Sequence, residues 1–222
     1  AGDNELRSYS MSESGLPSHA RAVIVGGGII GCSIAYHLAK LGWKDIVLLE
    51  REQITSGTTW HAAGLVTTLR DTEAQTELAQ YSLKLYQELE QETDQATGFI
   101  RCGSVQLAMD EAKAEEMRRG CAMARTFGVE NHEVTPKEIQ DMWPLANVED
   151  LVTGFHFPDD GRVNPADVAQ ALAKGARANG VKIIENMPVT GVIRKNGRAV
   201  GVETAEGNVE ADVVVLCPGM WG

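Results

Sequence analysis

The stretch Arg21 to Gly31, RAVIVGGGIIG, constrains the fold more than any other part of the chain. Its short β-branched apolar run reads as a buried parallel strand, and the glycines that stop it read as a tight turn. From Ile29 to Leu41 the residues Ile30, Ile34, Leu38 and Leu41 recur at spacings of three and four. That spacing predicts an amphipathic helix ended by Gly42. Asp45 to Glu50 (DIVLLE) is the second predicted strand. Strand, helix and strand form a βαβ unit, parallel and right-handed, so the fold class is α/β and Rossmann-like.

Gly26, Gly28 and Gly31 complete GxGxxG at that junction, where a dinucleotide pyrophosphate meets exposed N–H groups at a helix N-terminus. One glycine makes the turn, one admits the phosphate to the backbone, and the third lets the helix lie against the strand. Glu50 follows Gly31 by 19 positions, close to the ~20 expected of an acid that accepts from the adenosine ribose hydroxyls. A carboxylate there repels a 2′-phosphate, which sets NADP aside. Three short apolar alternations between Val189 and Glu210, parted by Asn196-Gly197 and Glu206-Gly207, predict a β-meander. It leads into a last buried strand, Asp212 to Leu216 (DVVVL), ending at Pro218-Gly219. A plain NAD domain would continue with crossover helices, so this order favours FAD. Gly219 serves either a second approach of backbone to cofactor or an ordinary strand-end turn.

Between these parts, Arg51 to Thr68 carries Gly, Ser and Thr without periodicity, longer than most connections in compact domains. Helical patterns cover about Thr72 to Thr93 and Glu111 to Phe127, with a strand-like GSVQLAM at Gly103 to Met109. Later come a strand at Gly154 to Phe157, a turn at Asp159 to Gly161, a helix opened by Pro165 and a strand at Val181 to Ile184. These patterns divide the chain into a flexible leader (1–20), an FAD-binding domain (21–70 and 145–222) and an inserted segment (71–144) contributing to a substrate domain.

Net charge enters through what it excludes. At −11, the chain is unsuited to neutralising a phosphate backbone, so nucleic acid is no expected partner. No run reaches the ~18 to 20 apolar residues of a membrane span. Cys32, Cys102, Cys121 and Cys217 show no CxxC spacing, so no metal site or disulfide framework is predicted and a reducing compartment fits. His19, His37, His132 and His156 have no partner spacing and read as structural.

The loop TSGTTWHAAGL, Thr55 to Leu65, places hydroxyl residues beside Gly57, where they offer donors to a pyrophosphate. Within it, His61 is flanked by Trp60 and by Ala62, Ala63 and Gly64. From chemistry alone its imidazole is either a nucleophile toward the flavin 8α-methyl carbon or a packed, hydrogen-bonding histidine.

Taken together, IVGGGIIGCSIAYHLAKLGW, VLLERE, TSGTTWHAAGL, PDDGRVNPADV and PVTGV resemble the flavin domain of the dimethylglycine and sarcosine dehydrogenase family. The resemblance runs from about residue 21 to the end, and TTWHAAG is its most specific piece. It implies an 8α-histidyl flavin on His61. It also implies FAD contacts from Ile29 and Ile30, from Glu50 and Arg51, from Gly57, Thr58, Thr59, Trp60, Ala62, Ala63, Gly64 and Leu65, and from Val189 and Trp221.

The implied reaction is oxidative demethylation of an N-methylated amino acid such as dimethylglycine or sarcosine. Electrons pass on to an electron-transfer flavoprotein or to oxygen. In the family the flavin domain continues past CPGMWG, so the chain is expected to be a fragment or one chain of a split enzyme. No catalytic acid or base is assigned, and tetrahydrofolate enters only through a further domain. The implied compartment is a bacterial cytoplasm or the mitochondrial matrix. Two alternatives accompany this reading: a noncatalytic relative resembling the regulatory subunit of pyruvate dehydrogenase phosphatase, and an amine oxidase that uses oxygen.

Overall fold

The computed structural model describes residues 15–222. Along the chain run β1 (His19–Val25), α1 (Ile29–Lys40), β2 (Ile46–Leu49), β3 (Leu65–Val66), α2 (Glu73–Thr93), β4 (Ser104–Ala108), α3 (Glu111–Thr126) and β5 (His132–Val134). There follow α4 (Pro136–Met142), β6 (Thr153–Phe157), β7 (Gly161–Arg162), α5 (Pro165–Ala178), β8 (Lys182–Ile184), β9 (Val189–Lys195), β10 (Arg198–Thr204) and β11 (Gly207–Leu216). They fall into two compact units. One holds the described residues through Ala63, with Leu89–Thr97 and Pro165–Gly222; the other holds Gly64–Glu88 and Gly98–Asn164.

The first unit is built on a six-stranded sheet of order β8-β2-β1-β11-β10-β9. β1 pairs in parallel with β2 and β11, and β2 with β8, while β10 and β9 add antiparallel neighbours beyond β11. This is the expected α/β class: a parallel βαβ core followed by a meander. Asn196 and Gly197 both take positive φ, 51° and 78°, the requirement of a type I′ hairpin turn. All four residues of β2 are buried, and each such aliphatic side chain contributes about 1.5–3 kcal/mol relative to exposure. One sheet face packs Val23, Val47, Leu49, Val202 and Val209 into a core that also takes in Leu16 and Ala20. Ile24 on β1 and Leu48 on β2 occupy the alternate positions and are also fully buried.

Four expectations need correction here. Residues 1–14 of the expected leader lie outside the described residues, but Leu16 and Ala20 belong to the core and β1 already starts at His19. The buried face of α1 is Gly31, Cys32, Ala35, Tyr36 and Ala39 rather than the large apolar stripe; Ile30 and Leu41 are 63% and 76% exposed. The cause is α5, which packs on α1: a Cβ on its Gly175 would stand 2.8 Å from the Tyr36 ring, so the contact is made by small side chains and one tyrosine. The third meander strand and DVVVL are one continuous strand, β11, on which Val213 and Leu216 are exposed. Finally, residues 145–164 group with the second unit and not with the first, because β6 pairs with β4 and β5.

In that second unit, a sheet of order β4-β6-β5 joins α3 around Ala108, Met117, Cys121, Phe155 and Phe157. Helix α4 is absent from the sequence reading, although its signature is present. Thr135 and Glu138 form a reciprocal capping box with Pro136 in the first turn. Asp160, 1% exposed, takes the Thr68 N–H and hydroxyl at 2.8 Å each, and the Ser104 hydroxyl at 2.5 Å. Among the described residues no helix is long and apolar enough to cross a membrane.

Candidate cofactor site

The turn between β1 and α1 is glycine for plain steric reasons. Gly26 has φ +110°, and a Cβ there would lie 2.2 Å from the Cys217 carbonyl oxygen. A Cβ on Gly31 would lie 1.9 Å from the Gly26 oxygen, so the first turn of α1 rests directly on the loop. Gly28 is the N-cap of α1, in extended conformation and without a side-chain cap. The next N–H, of Ile29, donates to Thr59 Oγ at 3.1 Å, and Thr59 is nearly buried. The middle glycine, Gly27, is one that sequence reasoning does not single out. Its N–H donates to Glu50 Oε2 at 2.5 Å.

Glu50 sits just past β2, 9% exposed, and its Oε1 accepts the Glu52 N–H at 3.0 Å. Each carboxylate oxygen therefore has one bond from the protein and a further lone pair to offer. Burial pushes the neighbouring Cys32 thiol up to about 12, so it stays neutral beside the Gly27 carbonyl, 3.5 Å away.

A cavity of about 200 Å³ opens over this turn. Gly26, Gly28, Glu50, Arg51, Gly57, Thr58, Thr59, Val189, Gly219 and Trp221 line it, together with Val25, Leu49, Cys217 and Pro218. The last four escaped sequence reasoning; Val25 and Leu49 only end apolar strands, and nothing in their identity marks a rim. Trp221 lies against Gly57, where a Cβ would come within 3.2 Å of its ring, and the Arg51 guanidinium stands 4.2 Å over the same ring. The cavity is smaller than the ~300–1,000 Å³ of whole-ligand pockets, a size for one end of a dinucleotide.

The other expected residues do not line that cavity. Ile29 contributes its N–H to the Thr59 bond, Ile30 points to solvent and Gly31 seats the helix. Trp60, His61, Ala62 and Ala63 are exposed. Gly64 and Leu65 belong to the second unit, where the Gly64 carbonyl accepts the Val163 N–H at 2.8 Å. The His61 ring lies against Trp60, centroids 3.7 Å apart and planes tilted by 40°, and among the described residues its ring nitrogens make no hydrogen bond. Also among them, no group of three or more His, Cys, Asp or Glu is placed to hold a metal.

Glycines that only a bare backbone can satisfy, a helix N-terminus facing a cavity and a carboxylate with spare lone pairs fit the adenylate end of FAD. Similarity to known proteins agrees. The chain is 43% identical over 206 residues to the mitochondrial pyruvate dehydrogenase phosphatase regulatory subunit of Mus musculus, covering 93% of this chain and 24% of the relative. It is 42% identical over 215 residues to mitochondrial sarcosine dehydrogenase of Homo sapiens, covering 93% and 23%. The chain thus spans about a quarter of the length of the curated relatives it matches. Among solved structures, L-proline dehydrogenase from P. horikoshii superposes with a TM-score of 0.87 at 28% identity, covering 93% of this chain and 54% of that one. Residues 21–222 match the family model described as DAO, FAD-dependent oxidoreductase, and with nearly its whole length inside that match the chain belongs to the DAO family of FAD-dependent oxidoreductases.

Proposed function

We propose that the protein to which this chain belongs oxidatively demethylates an N-methylated amino acid of the sarcosine or dimethylglycine type, and that these residues supply its FAD-binding part. The supporting observation is the glycine-floored cavity over β1, walled by Glu50 and Thr59 and accompanied by an intact TTWHAAG loop. When bound, FAD supplies a two-electron acceptor for the C–H and N pair of an amine. Gly26 and Gly28 give the pyrophosphate access to backbone, and Glu50 accepts from the ribose hydroxyls. Thr59 holds the first N–H of α1 in place, and its own hydroxyl proton is free to donate. His61, with an exposed ring and unengaged nitrogens, is the attachment residue for a covalent 8α-histidyl flavin. The electron acceptor is an electron-transfer flavoprotein or oxygen, which oxygen consumption by the intact enzyme separates.

The test is acid precipitation of the parent protein and of His61→Ala, followed by absorption and in-gel fluorescence. Flavin retained by the denatured parent and lost from the variant is the expected result. Free FAD released from the parent refutes the His61 assignment. The near-equal identity to a phosphatase regulatory subunit favours one second reading, a noncatalytic relative. A full-length protein that never carries flavin would establish it.

A further inference from the structure

Gly27 has no reason in its own backbone to be glycine. Unlike Gly26 it does not take positive φ, and it is not one of the three glycines the dinucleotide motif requires. What crowds a side chain there is Glu50. A Cβ on Gly27 would stand 3.0 Å from Glu50 Cβ and 3.1 Å from both Cγ and Oε2.

Both polar groups of this residue are held from outside the turn: its N–H by Glu50 Oε2 at 2.5 Å, its carbonyl by the Thr55 N–H at 3.1 Å. Thr55 itself carries φ +76°, a conformation a β-branched residue keeps only where its surroundings over-determine it. The second carboxylate oxygen of Glu50 ties down the Glu52 N–H. One buried carboxylate thus joins the phosphate turn to the end of β2, and Gly27 passes the constraint on to the loop that carries Thr58 and Thr59. Gly28, which lines the cavity, and Ile29, whose N–H is held by Thr59 Oγ, follow directly.

We propose that Glu50 is a positioning residue for the phosphate turn, acting through the Gly27 peptide, and that this role is separate from any bond it makes to ribose. The proposal rests on the FAD reading above. It requires that loss of the carboxylate weaken phosphate binding even when the nucleotide has no ribose hydroxyls to offer.

The experiment uses the full-length parent in a His61→Ala background, freed of flavin, and titrates ADP and 2′,3′-dideoxy-ADP by calorimetry. In Glu50→Gln the amide turns an N–H₂ toward one of two N–H groups that now have an acceptor. Dideoxy-ADP should therefore bind more weakly by about tenfold or more, and ADP by at least as much because it also loses a ribose bond, while the ligand-free melting temperature shows the protein still folded. If ADP weakens and dideoxy-ADP does not, Glu50 is a ribose acceptor alone and the proposal is wrong. Should Glu50→Gln fail to fold, Gly27→Ala decides in the same way. It keeps the carboxylate but crowds it against the turn, so weakened dideoxy-ADP binding supports the positioning role, and a loss confined to ADP, or none, overturns it. A parent that binds neither nucleotide refutes the FAD reading first, and the positioning role with it.

Discussion

Replacing Gly31 by alanine tests the seating of α1 most severely. The added carbon would lie 1.9 Å from the Gly26 oxygen and 3.5 Å from Ile24 Cγ2, whereas carbon and carbonyl oxygen in contact settle at about 3.3–3.6 Å. The helix start must retreat from the loop by roughly 1.4 Å, and the close partner, the Gly26 carbonyl, is backbone, so no side chain can swing aside to relieve it. Overpacking of this kind costs about 1–3 kcal/mol, and we expect the upper end. For a chain of this size that lowers the melting temperature by about 6–12 °C. The same shift carries the backbone of Gly28, which lines the cavity, away from a bound anion. Each charge-assisted bond lost removes about 1.5–3 kcal/mol, so in a His61→Ala background, where flavin is held without a covalent bond, FAD retention should fall at least about tenfold. Scanning calorimetry with flavin quantification reads both effects. Gly120→Ala is the control: it lies within α3 with nothing within 4 Å of its Cβ position, and should gain up to ~1 kcal/mol from helix propensity. A Gly31→Ala protein that melts within about 2 °C of the parent and keeps its FAD would refute the steric argument.

Two further outcomes follow from the polar contacts. Burial pushes the Glu92 carboxyl up, but hydrogen bonds from Lys40 at 2.8 Å and Tyr36 at 2.7 Å outweigh it, and its pKa ends below the ordinary 4.5. A lowered pKa in the folded state adds stability that is present above about 4.5 and lost as pH falls through the folded value. Melting temperature plotted against pH should therefore show a shallower acid limb for Glu92→Gln than for the parent, and superimposable limbs would contradict the contact. In the second unit, Asp160→Ala strands the Thr68 N–H and two hydroxyls in the interior and should cost about 3 kcal/mol. Asp160→Asn, which still accepts from Thr68 and lets Ser104 reverse its hydroxyl, should cost less than half of that in chemical denaturation; equal losses would mean the charge itself matters.

Much of the first unit was legible in the residues. RAVIVGGGIIG, DIVLLE and the Asn-Gly turn announced β1, α1, β2 and the meander because each rests on local rules of periodicity, glycine and turn conformation. Gly26, Gly28 and Glu50 met at one cavity for the same reason. What escaped depends on partners far along the chain. Periodicity weighs large apolar residues, so it chose Ile30 and Leu41 for α1, whereas the helix buries Ala35, Tyr36 and Ala39 against alanines and Gly175 of α5. DVVVL reads as buried from composition, yet Val213 and Leu216 face outward. Gly27 falls outside GxGxxG, and only the fold sets it against Glu50. Residues 145–164 carry no marker of the sheet they join, since pairing of β6 with β4 and β5 is set by register and not by local sequence.

The place of β1 in the sheet bears on how the protein is made. Its neighbours are β2, which leaves the ribosome shortly afterwards, and β11, which begins more than 180 residues after β1 ends. At ~5–20 residues per second, roughly ten to forty seconds of synthesis separate the two. Throughout that interval the strand beneath the candidate site presents one open edge of unpaired amides and carbonyls, a template for wrong partners. The Gly26 turn can close on Cys217 only after the nascent chain has passed Leu216, so this part of the fold completes late in synthesis.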